Sequence, residues 1–596
     1  MRKILVFLIL ISVFKSSIGL ADTHYVSEAG FDEYPYTTWE TAADSIQKGI
    51  NAASYGDTVM VADGIYRETI KMIPGIVLLG SGMNWCIIYP AGRSVRDIVY
   101  GADSAVIEGF HITGWQPGHG EFCVGIYNSV DSKLKRISNN KISQCDVGIV
   151  QDANTEISIN IIEDNQTGIS SGFGDKSLII NNTFTNNHRG ISLWVSGGPT
   201  VINNLIMVGP EDYSQGIYGD FLDSVFIENN LIVGPEWNAV GVYKFSGHFE
   251  TAPIRNNTLI SDGLYGVVRI AHFSNEIKNN IISEGLYGIA TYQEDGYTCN
   301  PQVSYNDLWN NTQNYYTQEG GGVDTSLGGN IYLDPMFLGG NDYHLQYGSP
   351  CIDAGDPNIK DPDSSRSDIG CYGGIWGETY TYQDYPPKAP DSLKATSLNT
   401  MTVLSWKPNT ESDLSHYLVY KDTLAGFIPD TFKIVGEVPK DSSVFRDYDF
   451  VLGRTYYYRL SAWDQTGHQS EYSDELQILA TEVGESTEEE GPPLPRMYQL
   501  RQNRPNPFNP STTIVYYLPD VGYQPAEVEI VIYNLLGQKV RTLVKERKYP
   551  GEHRVSWDGK DDQGNDLASG IYFYRFIFSG TDLYPLVKPK KMVLIR

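Results

Sequence analysis

The sequence predicts an all-β protein in which a long solenoid is followed by two β-sandwiches. The first observation is a ladder of paired asparagines: Asn139-Asn140, Asn181-Asn182, Asn203-Asn204, Asn229-Asn230, Asn256-Asn257 and Asn279-Asn280, with Asn160 and Asn306 as single forms. Counted on the second asparagine, the markers step by 20, 22, 22, 26, 27, 23 and 26 residues. The second observation is a glycine followed by a β-branched residue in each period, from Gly125-Ile126 through Gly148-Ile149, Gly168-Ile169, Gly190-Ile191, Gly216-Ile217, Gly241-Val242 and Gly266-Val267 to Gly288-Ile289. The third is composition: 41 tyrosines and 59 glycines with 19% charged residues suit strands and turns better than helices.

A period near 22 residues, with short β-branched runs separated by residues that tolerate left-handed corners, describes a coil with no core of its own. Such a coil needs neighbours about 4.8 Å above and below to pair its backbone and bury its isoleucine stripe. A leucine-rich repeat would need a regular leucine ladder, which is missing. The pattern resembles the right-handed parallel β-helix family, in which asparagine stacks at a corner and aliphatic residues stack inside. On that reading the Asn pairs are a hydrogen-bonded corner ladder and not a ligand site.

In chain order, residues 1–21 read as a secretory signal: Arg2 and Lys3, an apolar run from Ile4 to Phe14, then Gly19-Leu20-Ala21 before Asp22. Residues 23–378 form the solenoid. At its start Ala42, Ile46, Ile50 and Ala53 have helical spacing, enough for a short amphipathic helix that plugs the first coil. At its end, Asp334-Pro335-Met336-Phe337, the run Gly348 to Asp356, Arg366 and Asp368-Ile369-Gly370-Cys371-Tyr372 resemble the end module of secreted β-helices. Two positions commonly small in that pattern are here both cysteine, which implies a disulfide between Cys351 and Cys371. Cys123 and Cys145 are one coil apart and are expected to sit one above the other; pairing of Cys86, Cys123, Cys145 and Cys299 stays open. No C-x2-C spacing points to structural zinc. Asp353, Asp356, Asp361, Asp363 and Asp368 are weak candidates for Ca²⁺, set against turn aspartates, since no EF-hand spacing supports them.

Residues 386–482 resemble a fibronectin type III sandwich, with Trp406 on an early strand and Tyr456 as its corner tyrosine. Residues 483–495, with Glu488-Glu489-Glu490 and Pro492-Pro493, are a charged linker. Residues 496–596 resemble the C-terminal sorting domain of type IX secretion cargo. The resemblance rests on Asn503-Arg504-Pro505-Asn506-Pro507-Phe508-Asn509-Pro510, on Tyr533-Asn534-Leu535-Leu536-Gly537-Gln538-Lys539-Val540, on Ala568-Ser569-Gly570-Ile571-Tyr572 and on the closing Lys591 to Arg596. It implies export across the outer membrane of a Gram-negative bacterium, the type IX machinery as partner, and release or anchoring at the surface. A structural relative of the module is the immunoglobulin-like domain of flagellar hook-assembly proteins.

A formal charge of −28 argues against a nucleic-acid or anionic-membrane partner, and after signal removal no run is long enough to span a bilayer. Parallel β-helices of this kind act as polysaccharide lyases, as hydrolases or as glycan-binding proteins, and fold alone does not choose. Gly118-His119-Gly120 lacks the Asp-Asp step that the hydrolase pattern requires. Aligning coils on their glycines gathers Tyr218, Tyr243, Lys244, Arg269, Trp194 and Asp220; the longest coils carry Val208-Gly209-Pro210-Glu211 and Val233-Gly234-Pro235-Glu236, followed by Tyr213 and Trp237, with His188, Arg189, His248 and His272 nearby. The leading expectation is a polysaccharide-binding groove built on Trp194, Tyr218, Tyr243, Trp237 and Tyr213. The alternatives are a polysaccharide lyase or hydrolase acting in the same groove, with Lys244, Arg269 and Asp220 as catalytic candidates, and a non-enzymatic structural or adhesive surface protein.

Overall fold

The structure is a computed structural model that describes residues 21–480 and 499–596, apart from 91, 93–94, 115–121, 173–174, 195–197, 210–211, 221–224, 244–252, 262–265, 272–275, 293–298, 319–320, 399–400, 450, 519–525, 549–550 and 580–588. The expected signal at 1–21 and linker at 483–495 fall almost wholly outside these residues. The chain divides into two units, Met1–Glu482 and Val483–Arg596, each treated by itself below.

The first unit begins with a three-faced parallel β-helix. Its faces are sheets of twelve, eleven and eleven strands, each strand pairing in parallel with the equivalent strand of the next coil. The register stacks like on like. On the first face Ile107, Ile137, Ile157 and Ile179 follow one another; on the second, Ile112, Ile142, Ile162 and Phe184; on the third, Ile126, Ile149, Ile169 and Ile191. All are fully buried, each contributing about 2 kcal/mol of apolar burial. This is why the β-branched runs are strands: no single coil encloses these side chains, but the stack does.

The helix at the N-terminal end spans Ile46–Ala52, shorter than its apolar spacing, because the Ser45 side chain accepts from the Lys48 N–H and starts it there. The Glu68 carboxylate accepts from the first two helical N–H groups, Ile46 and Gln47, at 2.7 and 3.0 Å. Buried Ile46 and Ile50 close the first coil.

The asparagine pairs do two different jobs. The second member of each pair points inward: Asn204 donates to the carbonyls of Ile179 and Ile202 and to Asn230 Oδ1, while its own Oδ1 accepts from Asn182 N and Nδ2. The pattern repeats at Asn140, Asn160, Asn182, Asn230, Asn257, Asn280 and Asn306 and ends on Asn330. The first member takes the left-handed backbone, with φ from 48° to 57° at Asn139, Asn181, Asn203, Asn229, Asn256 and Asn279. Three of these first asparagines also receive the end module. Asn229 Nδ2 donates to the Cys371 carbonyl, Asn256 Nδ2 to the Asp368 carbonyl, and Asn279 Oδ1 accepts from Asp356 N. The segment after the last coil thus folds back along the corner. A second inward ladder, Asn165 to Asn187 below Cys145, was not legible from the pair spacing.

One expectation is corrected here. Cys351 and Cys371 form no disulfide, because they face different neighbours: the Cys351 thiol donates to Asp307 Oδ2 at 3.2 Å, and Cys371 lies against Thr258. The Asp353 to Asp368 cluster is organised by protein donors. Asp361 accepts from the N–H groups of Asp368 and Gly374, Asp368 from Asp353 N and the Tyr382 hydroxyl, Asp363 from Ser365, and Asp356 from Asn358 and Lys278. Those contacts are what turn aspartates make.

The unit ends in an antiparallel sandwich, with sheets of three and four strands between Asp391 and Leu479. Trp406 packs edge-on to Tyr417 at 5.2 Å in its core. The Tyr456 hydroxyl accepts from Val451 N five residues upstream, the contact of a tyrosine corner.

The second unit is another sandwich of three plus four strands, closed around Trp557, Tyr516, Tyr574 and Phe508. Its last strand, Lys590–Leu594, lies at a sheet edge beside Gly570–Ser579, and Phe508 N and O bond to Val593 O and Ile595 N. No described helix is long and apolar enough to cross a membrane.

Candidate functional site

The third face of the solenoid carries the candidate site, because its strands are the longest, reaching six residues at Arg189–Trp194, Gln215–Asp220 and Asn238–Tyr243. Inward residues of these strands build the core, so alternate side chains point outward. The register places Ser192, Tyr218, Gly241, Arg269 and Ala290 in one outward row and Trp194 and Asp220 in another, with the backbone of Tyr243 paired beside Asp220.

This register departs from a glycine-based alignment in two coils. Gly216 stands beside Ala239, and Val240 beside Val268, so Ala239 and Val267 hold the corner position taken elsewhere by glycine. Gly241 therefore falls outward, between Tyr218 and Arg269, and Tyr243 lies beside Asp220 instead of Tyr218. With no side chain at Gly241, Tyr218 and Arg269 face each other across one coil, about 10 Å apart at the backbone.

Around Tyr218 the groups converge. Its hydroxyl donates to Asp220 Oδ2 at 3.1 Å. Trp194 lies at 5.6 Å, ring centre to ring centre, and its indole N–H donates to Ser192 Oγ at 2.8 Å, which fixes its tilt. The Arg189 guanidinium sits 5.2 Å over the Tyr218 ring. Burial and the Asp220 carboxylate push the Tyr218 phenol up to about 12, against the pull of Arg189 and Arg269. Arg269 itself stacks 4.4 Å over Tyr292. Gln215 and Asn238 follow Arg189 in register, and Gln215 Oε1 and both Asn238 amide atoms have no hydrogen-bond partner among the described residues.

A second aromatic pair lies at the other end of these strands. Tyr213 and Trp237 are 4.8 Å apart, with Tyr213 N donating to Glu236 Oε2 and Glu236 N donating to Ser214 Oγ. The expected site is thus two clusters: Trp194, Tyr218, Asp220 and Arg269 in one, Tyr213 and Trp237 in the other. Arg189, named in the sequence only as a nearby cation, stands inside the first, and Tyr292 was missed. Lys244, His248, His272, Gly118-His119-Gly120, Pro210 and Glu211 lie outside the described residues.

Residues 98–259 match the family model described as a right handed beta helix region, and residues 521–576 match the FlgD Ig-like domain. No curated protein matches the sequence. Among solved structures the chain is similar to the spore cortex lytic enzyme SleM of Clostridium perfringens, with 22% identity over 18% of this chain and 31% of that one and a TM-score of 0.14. It is similar to dimeric latent PorU from Porphyromonas gingivalis, with 14% identity over 36% of this chain and 22% of that one and a TM-score of 0.18. It is also similar to the FN1–FN3 domains of chicken CNTN1, with 16% identity over 35% of this chain and 67% of that one and a TM-score of 0.14. The chain spans less than a third of the first two proteins.

Proposed function

We propose that the protein binds polysaccharide on the outward third face of its β-helix, outside the cell. The observation that carries this is the group around Tyr218: an aromatic pair, two guanidiniums and one carboxylate on a rigid ladder. Tilted aromatic rings suit the C–H faces of sugars, and guanidinium groups suit uronate carboxylates, so an acidic glycan fits best. A phenol held near 12 stays protonated at neutral pH and donates a hydrogen bond, which favours binding over bond cleavage with Tyr218 as base.

The test is retention of the purified chain on uronate-containing and neutral polysaccharides. Trp194→Ala and Arg189→Ala are each expected to weaken retention about tenfold, the loss of one aromatic or ionic contact. Equal retention of both variants and the wild type would overturn the reading. Accumulation of unsaturated, ultraviolet-absorbing products would instead establish a lyase, and then Arg269→Ala should abolish turnover.

The flanking domains fit the same setting: residues 386–482 serve as a fibronectin type III spacer and residues 496–596 as the type IX sorting domain, with secretion or surface attachment as the outcome. Deleting residues 496–596 is expected to leave the protein in the periplasm. Unchanged surface display would refute that assignment.

A further inference from the structure

Where the solenoid's end module, the segment following it and the sandwich meet, the loop before Leu414 is fastened to the end module. Ser412 Oγ donates to the Gly348 carbonyl at 2.7 Å, Thr410 Oγ1 donates to Asp334, and Tyr347 N donates to the Gln383 carbonyl at 2.9 Å. Into this junction the fold brings four carboxylates from three separate stretches: Asp384, Glu411 with Asp413, and Asp464. No described lysine or arginine side chain forms an ion pair with any of them, and the His468 imidazole faces two of them.

The details are unusual for a merely acidic surface. His468 Nδ1 faces Asp464 Oδ2 at 3.1 Å and Asp384 Oδ2 at 3.6 Å. One ligand atom from each of these three residues lies within 4.8 Å of the others, the spread of atoms around a single ion. Asp464 Oδ1 is fixed by Thr466 Oγ1 and by the N–H groups of Gly467 and His468, which leaves Oδ2 turned to the cluster. Asp413, only 9% exposed, belongs to the same group: the charges that act on it most are those of Asp464, Asp384 and Glu411. Asp384 Oδ1 and Glu411 Oε2 are buried without a donor among the described residues. Buried carboxylate oxygens without donors are costly, by several kcal/mol for an ionised group. A cation held in common removes that cost, and so does a proton.

We propose that Asp384, Asp464 and His468 bind a divalent metal ion, with Asp413 as a further ligand or counter-charge, and that the ion ties the segment after the solenoid to the sandwich. One imidazole nitrogen among carboxylate oxygens selects a first-row ion of the Mn²⁺ or Zn²⁺ type over Ca²⁺, which favours oxygen alone.

The experiment is calorimetric titration of the EDTA-stripped full chain with Mn²⁺, Zn²⁺ and Ca²⁺ separately, beside Asp384→Asn and His468→Gln. Both substituted residues are partly exposed and lie outside helices and strands, so the fold is retained. One equivalent of Mn²⁺ or Zn²⁺ should bind, each variant should lose at least tenfold in affinity, and cleavage by protease between residues 379 and 390 should slow when the metal is present. The proposal fails if no metal binds to the folded chain, if only Ca²⁺ binds, or if uptake is unchanged in both variants. It also fails if Asp413→Asn stabilises the protein equally with metal and with EDTA, because a shared proton would then hold the cluster.

Discussion

Replacing Asn204 by alanine is expected to destabilise the solenoid by about 4 kcal/mol, since each buried polar group left without its partner costs about 1–3 kcal/mol. Asn204 is 1% exposed. Its loss strips a donor from the Ile179 and Ile202 carbonyls and the acceptor from Asn182 N and Nδ2. The neighbouring Asn203→Gly is the control. At φ 53° its backbone is already left-handed, so the change should stay within about 0.5 kcal/mol. Denaturant unfolding of the full chain, read at the solenoid transition, separates the two; equal effects would show that the corner ladder is not what holds the coils.

The second large effect is a pH dependence centred on Asp307. This residue is fully buried, accepts from Leu333 N and the Cys351 thiol, and is pushed by burial from 3.8 to about 7. A carboxyl raised in the folded state keeps a proton that the unfolded chain has lost. Stability is therefore greatest at the acid end of the window and declines as pH rises from about 4 through about 7, where the folded carboxyl ionises. The decline amounts to up to about 4 kcal/mol. Asp175, raised by burial to about 6, acts in the same direction. Asp356 and Asp464, both lowered, act with opposite sign and only below the usual carboxylate range. Asp307→Asn, neutral at every pH, should flatten the fall in melting temperature between pH 5 and pH 8. An unchanged slope in the variant would remove Asp307 as its cause.

Much of the solenoid was legible because its signal is one-dimensional. A coil repeats every 20 to 27 residues, so Asn140 through Asn306 announce the inward ladder, and Ile126 through Ile289 the stripe beneath the third face. The second ladder was missed because its members, Asn165 and the second residue of Asn186-Asn187, fall off the spacing of the marker pairs. The third-face register was misjudged in two coils, because Ala239 and Val267 fill a corner where glycine had served as the marker, and Gly241 belongs to the outer row. Cysteine pairing failed for a related reason: similar spacing in a family pattern does not say which way a thiol turns, and Cys351 turns to Asp307.

The sequence by itself determined the all-β class, the coil period, the inward asparagine ladder and the two sandwiches with their Trp406 and Tyr456 cores. These follow from periodicity and from residues whose preferences are local. Tertiary structure alone decided that Arg189 stands over Tyr218, that three first-position asparagines receive the end module, and that Asp384, Asp413, Asp464 and His468 share one junction. Such meetings depend on register and on how far a chain folds back, and the energies that set them arise between residues tens of positions apart, where no local pattern records them.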